Sequence, residues 1–263
     1  GVAEANMMGT AAGLALEGYT IYVYSIIPFV TMRVFEQVRN DIALQKVNVK
    51  IIGVGSGFTY GQLGPTHFAT KDIALMRSLP GMMVVCPGDP GEAKAATKAL
   101  HKAKGPAYMR LSKSGEQQVY KQLPPFRLGK GIVARAGSDL GLLVTGSMLR
   151  VALEVADMLQ KHNISARVLS LHTIKPFDED IVVKAARDTG VIFTIEEHTI
   201  LGGLGSAVAE VLCDHQVPTK HFHRFGVPDV FTYQAGSQEY LRSLYGLTPP
   251  QLSKSILQIL KKQ

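Results

Sequence analysis

Few residues of this 263-residue chain are placed for chemistry by spacing alone, and each of them has a plainer explanation beside the chemical one. Gly53-Val54-Gly55-Ser56-Gly57 follows an apolar run in the manner of a dinucleotide loop, but the third fingerprint glycine is missing and no helix opens directly after it. A tight loop is the better reading. Gly202-Gly203-Leu204-Gly205 stands between a strand and a helix, where glycines allow close backbone approach and a helix N-terminus attracts an anion; a purely structural turn explains the same residues. Glu4 opens a helical stretch, where the helix dipole favours an acid. His67, behind Gly64-Pro65-Thr66, lies on a loop and can hydrogen-bond or relay a proton near neutral pH. His221 and His223 alternate along a strand as a solvent-facing pair, with a weak metal site as the alternative. Cys86 and Cys213 are the only thiols, too few for a disulfide framework or a four-ligand zinc set, and no metal ligands are assigned to this chain.

The elements that position these groups are legible as two series in which apolar β-branched runs alternate with amphipathic helices, the pattern of parallel sheets covered by helices. The first series predicts helices over 4–17, 31–45, 71–78 and 90–104 and strands over 20–24, 49–54, 82–86 and 107–111, with a glycine-rich loop running to 67. Val34, Phe35, Val38, Ile42 and Ala43 form the apolar side of the 31–45 helix. Residues 117–131, with Pro124-Pro125, show neither period and read as a linker. The second series predicts strands over 141–145, 166–171, 191–196 and 219–225 and helices over 148–161, 178–186, 204–213, 238–244 and 249–260.

With 46% hydrophobic and 19% charged residues the chain has ample material for one large core or two ordinary ones, and disorder is excluded. No apolar run approaches the roughly 20 residues of a membrane span, no secretory signal opens the sequence, and a reducing cytoplasm is expected. The formal charge of +7 is concentrated in residues 1–125, which hold 13 Lys and Arg against 8 Asp and Glu. Lys94, Lys98 and Lys102 repeat every four residues as a solvated helix face rather than a basic stripe interleaved with aromatics, so no nucleic-acid partner is expected. The positive field suits a phosphorylated small molecule.

Combinations of residues are far more specific. Gly1-Val2-Ala3-Glu4-Ala5-Asn6-Met7, Phe29-Val30-Thr31-Met32-Arg33-Val34-Phe35-Glu36-Gln37-Val38-Arg39 and Gly64-Pro65-Thr66-His67 resemble, in order and spacing, the pyrimidine-binding domain of thiamine diphosphate enzymes of the transketolase group. Asp72-Ile73-Ala74-Leu75-Met76-Arg77-Ser78-Leu79-Pro80 is similar to the stretch after that histidine. Thr173-Ile174-Lys175-Pro176-Phe177-Asp178, Glu196-Glu197-His198 and Gly202-Gly203-Leu204-Gly205 are similar to the group's C-terminal domain. The resemblance spans nearly the whole chain and is best to the C-terminal subunit of split transketolases. It implies an α/β fold of two consecutive domains with mainly parallel sheets: a pyrimidine-binding domain at 1–120, a linker at 121–131 and a transketolase C-terminal domain at 132–263. The first domain would lack the strand and helix that normally precede the Glu4 motif, as if cut back, since a carboxylate so near a free terminus is poorly held.

Transketolases hold magnesium and diphosphate with Gly-Asp-Gly and an Asn about 30 residues later, a hard-oxygen site; this sequence has no Gly-Asp-Gly, and Gly88-Asp89-Pro90 sits at a strand-to-helix turn. The resemblance therefore implies thiamine diphosphate with Mg2+ held mainly by an N-terminal partner subunit, a heterotetrameric assembly, and ketose and aldehyde substrates. Glu4 would be the carboxyl that hydrogen-bonds the pyrimidine nitrogen and makes the aminopyrimidine a base; Phe29 would pack against that ring, and Arg33 in the same motif would also bind the cofactor. His67 would act near the reacting carbonyl. Leu63 stands where sugar transketolases carry an aspartate that contacts a substrate hydroxyl, Gly55 where they carry a further histidine, and Lys113 where many carry a phosphate-binding arginine. These departures imply a less hydroxylated or more apolar substrate with an anionic group. The neighbouring alternatives are a 2-oxo acid dehydrogenase β subunit, a deoxyxylulose phosphate synthase, and a non-catalytic scaffold or regulatory subunit.

Overall fold

A computed structural model describes residues 3–113 and 115–261; Gly1 and Val2 of the first motif lie outside the described residues. Among the described residues ten strands form two five-stranded sheets. The first sheet contains β1 (Ile21–Ile26), β2 (Val49–Val54), β3 (Met83–Val85) and β4 (Ala107–Leu111), and the second contains β5 (Ile132–Arg135), β6 (Leu140–Val144), β7 (Ala166–Ser170), β9 (Val191–Thr199) and β10 (His221–Val227). The remaining strand, β8 (Thr173–Lys175), comes from the second half of the chain but completes the first sheet, whose order is β1-β2-β4-β3-β8. The other order is β10-β9-β6-β7-β5. All pairings are parallel except at one edge of each sheet, where β8 runs antiparallel to β3 and β5 antiparallel to β7. These are two consecutive α/β units with mainly parallel sheets, as the alternating pattern predicts.

Parallel strands buried on both faces need continuous apolar runs, and Leu140–Val144 and Val191–Thr199 are buried at every position. The apolar interior ignores the midpoint of the chain. One cluster joins Met8, Ile51 and Val84 to Leu171, Ile174 and Val208. A second joins Phe58 within the glycine-rich loop and Phe68 at its end to Leu142, Phe193 and Ile256. Phe58 stacks on Tyr245 with centroids 5.8 Å apart and meets Phe68 edge-on at 5.2 Å, which fastens that loop to the second unit.

Three expectations are corrected. The 31–45 helix is broken: the Thr31 hydroxyl donates to the Ile27 carbonyl at 2.6 Å, the chain turns through 31–34, and helix resumes as Phe35–Gln37 followed by a π-helical stretch at Val38–Ala43. The side-chain bond satisfies a carbonyl that a continuing helix would have used. The linker is not a bare connector, because Tyr120 is buried with its hydroxyl donating to Glu92 at 2.9 Å, and Val119 N donates to Asp89 at 3.0 Å. Strand β9 runs to Thr199, three residues past its expected end, and buries Glu196, Glu197 and His198. The lysine face stands as expected, with Lys94, Lys98 and Lys102 exposed on the helix Pro90–Lys102.

Candidate active site

Loops at the carboxyl ends of parallel strands are where α/β folds bind ligands, and the ends of β1, β2 and β4 carry the residues of interest. β1 runs directly into the helical turn Ile27–Val30, with Pro28 in its first turn, where the missing N–H costs no helical bond and the fixed φ suits a helix. Phe29 is half-buried on this turn. The break at 31–34 carries the Arg33 guanidinium to 4.4 Å from the Phe29 ring centroid, a cation–π distance. Arg33 Nη1 donates to Glu4 Oε2 at 3.4 Å; Glu4 begins the helix Glu4–Leu16 and is only 6% exposed, whereas Arg33 is 49% exposed. From the loop after β2, the His67 ring meets Phe29 edge-on with centroids 5.4 Å apart, and Thr66 Oγ1 lies 3.0 Å from His67 Nδ1.

Glu4, Phe29, Arg33 and His67, from three separate stretches of sequence, therefore form one contact cluster. A pyrimidine ring requires a flat apolar face and a carboxyl within reach of its ring nitrogen. Phe29 supplies an aromatic ring and Glu4 a buried carboxyl, and both are tied to Arg33, so the residue types present fit the cofactor's pyrimidine end.

Leu63 and Lys113 belong to a neighbouring cleft of about 420 Å3, lined also by Tyr60, Gln62 and Gln238. Both are exposed, Leu63 by 55%. The 3-10 turns Gly61–Leu63 and Pro65–His67 join this cleft to the first cluster. Lys113 also borders a second pocket of about 450 Å3 with Tyr24, Asp89 and Glu116. Gly55 has φ +90, and a Cβ there would lie 2.2 Å from two carbons of the Tyr60 ring. Glycine is required, and the tyrosine ring occupies the space a side chain at 55 would take.

A buried charged frame holds these loops. Arg110 on β4 donates from Nε to Asp72 Oδ2 at 2.8 Å and from Nη2 to the carbonyls of Ala69 at 2.8 Å and Glu197 at 3.1 Å; Tyr108 donates to the same Asp72 oxygen at 2.6 Å. One guanidinium thus links the loop after His67, the helix Asp72–Ser78 and β9. Glu197 accepts from Arg242 Nε at 3.0 Å and Nη2 at 2.9 Å and from Gln238 Nε2 at 2.9 Å, which fixes the helix Gln238–Leu244 over the cleft.

The glycine turn at 202–205 has its own anion. Glu196 accepts from Leu204 N and Gly205 N, both at 2.8 Å, and a Cβ at Gly203 would lie 2.1 Å from Glu196 Oε2. The helix N-terminus is capped by an internal carboxylate, and burial pushes the Glu196 pKa up to about 7 despite these donors. The structural reading of that motif is the correct one. His221 is half-buried, and His223 is exposed with its ring edge-on to Phe225 at 4.6 Å. Among the described residues no group of three or more His, Cys, Asp or Glu is arranged to hold a metal ion. Among the described residues no helix is long and apolar enough to cross a membrane. Spacing does not mark Tyr60 and Gln238 as cleft-lining residues; the one signal is Tyr60 five residues after a glycine that stands in place of a histidine.

The family model of the transketolase pyrimidine-binding domain matches residues 1–117, and that of the transketolase C-terminal domain matches residues 129–252. The chain belongs to the transketolase family, a thiamine diphosphate-dependent family of transferases, and carries its pyrimidine-binding and C-terminal domains. It is 38% identical over 264 residues to the 6-deoxy-6-sulfo-D-fructose transketolase subunit SqwH of Clostridium sp. (strain MSTE9), covering 100% of this chain and 81% of that one. It is 37% identical over 263 residues to an apulose-4-phosphate transketolase subunit of Phocaeicola vulgatus, covering 100% and 83%. A solved split-gene transketolase, described as an inactive beta4 tetramer, superposes with a TM-score of 0.88 at 39% identity over 99% of this chain and 82% of that one.

Proposed function

We propose that this chain is the C-terminal subunit of a heteromeric transketolase-like enzyme that moves a two-carbon ketol unit from a ketose to an aldehyde acceptor. The observation that carries this reading is the contact cluster of Glu4, Arg33, Phe29 and His67 at the carboxyl ends of β1 and β2. Thiamine diphosphate supplies a carbon centre that stores the electron pair of the broken ketose bond. In this chain Glu4 holds a proton at the pyrimidine nitrogen, Arg33 keeps that carboxyl in place by charge, and Phe29 orients the ring. His67 donates a hydrogen bond to the substrate carbonyl oxygen as negative charge develops there. Lys113 pairs with an anionic substrate group. The relatives named for a sulfosugar and for apulose 4-phosphate support substrates outside the common pentose phosphates.

The diphosphate and Mg2+ side of the site is assigned to an N-terminal partner subunit in a heterotetramer. Calorimetry with thiamine diphosphate and Mg2+ tests this assignment. The isolated chain is expected to show no binding in the micromolar range, and the complex with its partner is expected to show it; micromolar binding by the chain alone overturns the division of labour.

The exposed position of Leu63 in the cleft yields a second expectation. A carboxylate there would cost little desolvation and could accept a sugar hydroxyl. Leu63→Asp is expected to raise kcat/KM for hydroxylated sugar phosphates relative to the preferred substrate, by about 10-fold, with little change in thermal midpoint. Profiles over several ketoses and aldoses measure it, and an unchanged profile in a folded, cofactor-loaded complex would place selectivity elsewhere.

A further inference from the structure

The cleft beside Leu63 has a wall from each half of the chain. Gly236 N donates to the Gly61 carbonyl at 3.1 Å, so the segment before the helix Gln238–Leu244 lies directly against the turn that carries Leu63. On the first-half wall stand Thr59, Tyr60, Gln62, Leu63 and Lys113, and on the second stand Ser237 and Gln238.

The orientation of the Gln238 amide follows from its partners. Its Nε2 donates to Glu197 Oε2 at 2.9 Å and Oε1 at 3.2 Å, and Thr59 Oγ1 lies 3.3 Å from the same nitrogen. Glu197 is bound by two Arg242 nitrogens and is an acceptor on both oxygens, so the amide must turn its NH2 group toward it. The group left to face a ligand is the carbonyl oxygen, a pure acceptor. Gln62 on the facing wall carries the same amide, but it is exposed and no side-chain hydrogen bond among the described residues fixes its orientation, whereas the Gln238 amide is held; Lys113 offers only donors.

We propose that Gln238 is a substrate-contacting residue whose carbonyl oxygen accepts a hydroxyl of the acceptor aldehyde, while Lys113 pairs with its terminal anionic group and Tyr60 with Leu63 covers the carbon chain between. Glu197 and Arg242 are positioning residues that fix the amide. The fixed hydroxyl acceptor of the cleft thereby comes from the second half of the chain, opposite the wall that carries Lys113. This inference rests on the ketol-transfer reading and specifies its acceptor.

The test uses the assembled complex with its partner subunit, with D-fructose 6-phosphate or 6-deoxy-6-sulfo-D-fructose as ketol donor. The acceptors are two pairs differing by one hydroxyl: D-glyceraldehyde 3-phosphate against 3-oxopropyl phosphate, and D-ribose 5-phosphate against 2-deoxy-D-ribose 5-phosphate. Gln238→Met keeps length and removes the acceptor. The expected result is an increase of about 10-fold or more in KM for the hydroxylated member of at least one pair, little change for its deoxy analogue, and a corresponding collapse of the discrimination ratio. A merely structural role lowers both members alike and leaves the ratio unchanged, which would overturn the proposal. Should Gln238→Met not assemble, Gln238→Asn retracts the carbonyl while keeping the amide, and the same ratio decides. Wild-type complex that transfers a ketol unit to no aldehyde overturns the functional reading itself, whereas ketol transfer with unaltered discrimination in the variants overturns only the role of Gln238.

Discussion

Glu4→Gln is expected to lower turnover of the assembled enzyme by more than about 10²-fold while leaving assembly and cofactor binding nearly intact. The side chain begins a helix, is almost fully buried and is paired with Arg33, so an isosteric amide fits the same space and still accepts from the guanidinium. What the amide cannot do is share a proton with a pyrimidine nitrogen. Steady-state rates beside calorimetric cofactor affinity separate the two effects: a large loss of rate with unchanged affinity is the expected pattern. Near-normal rates with cofactor bound would remove Glu4 from the mechanism.

The second large effect is on stability. Arg110→Met leaves Asp72 buried at 0% exposure with its ionic partner gone, and strips the carbonyls of Ala69 and Glu197 of a shared donor. Breaking a buried pair on one side costs about 3–5 kcal/mol, and for a chain of this size the thermal midpoint should fall by on the order of 10 °C. Removing both charges together, as Asp72→Leu with Arg110→Met, is expected to cost less than the sum of the single changes, because no unpaired ion is left inside. Differential scanning calorimetry of the three variants measures the coupling. Additive losses would mean that the pair is not the unit of stability here.

How much of the molecule is legible in its sequence depends on the distance over which a residue acts. Strands and helices follow from periodicities within ten or fifteen residues, and most stand where the pattern predicts them, from Val49–Val54 to Leu204–Asp214. Glu4, Phe29 and His67 lie far apart in sequence, and only the combined motifs suggest that they share a site; the contact through Arg33 goes with the break at 31–34, where the Thr31 hydroxyl donates to the Ile27 carbonyl. The turn at 202–205 is ambiguous in sequence because its ligand, Glu196, sits eight residues before the Leu204 amide on a different element. Gln238 is invisible there: its orientation depends on Glu197, 41 residues away, and no local pattern marks it. The strand Thr173–Lys175 escapes for a related reason, since three residues carry no measurable period.

That short strand bears on how the protein is made. Val84 pairs with Lys175 and Val85 with Thr173, and Lys175 Nζ donates to the carbonyls of Arg77 and Leu79, the far end of the helix Asp72–Ser78. During synthesis the first half leaves the ribosome with β3 as an open edge. Its unpaired amides and carbonyls stay available to other chains until some ninety further residues have been added. A nascent chain halted at the linker would be an aggregation-prone intermediate rather than a finished domain, and the long sequence separation of this pairing places it among the slow, late contacts of folding.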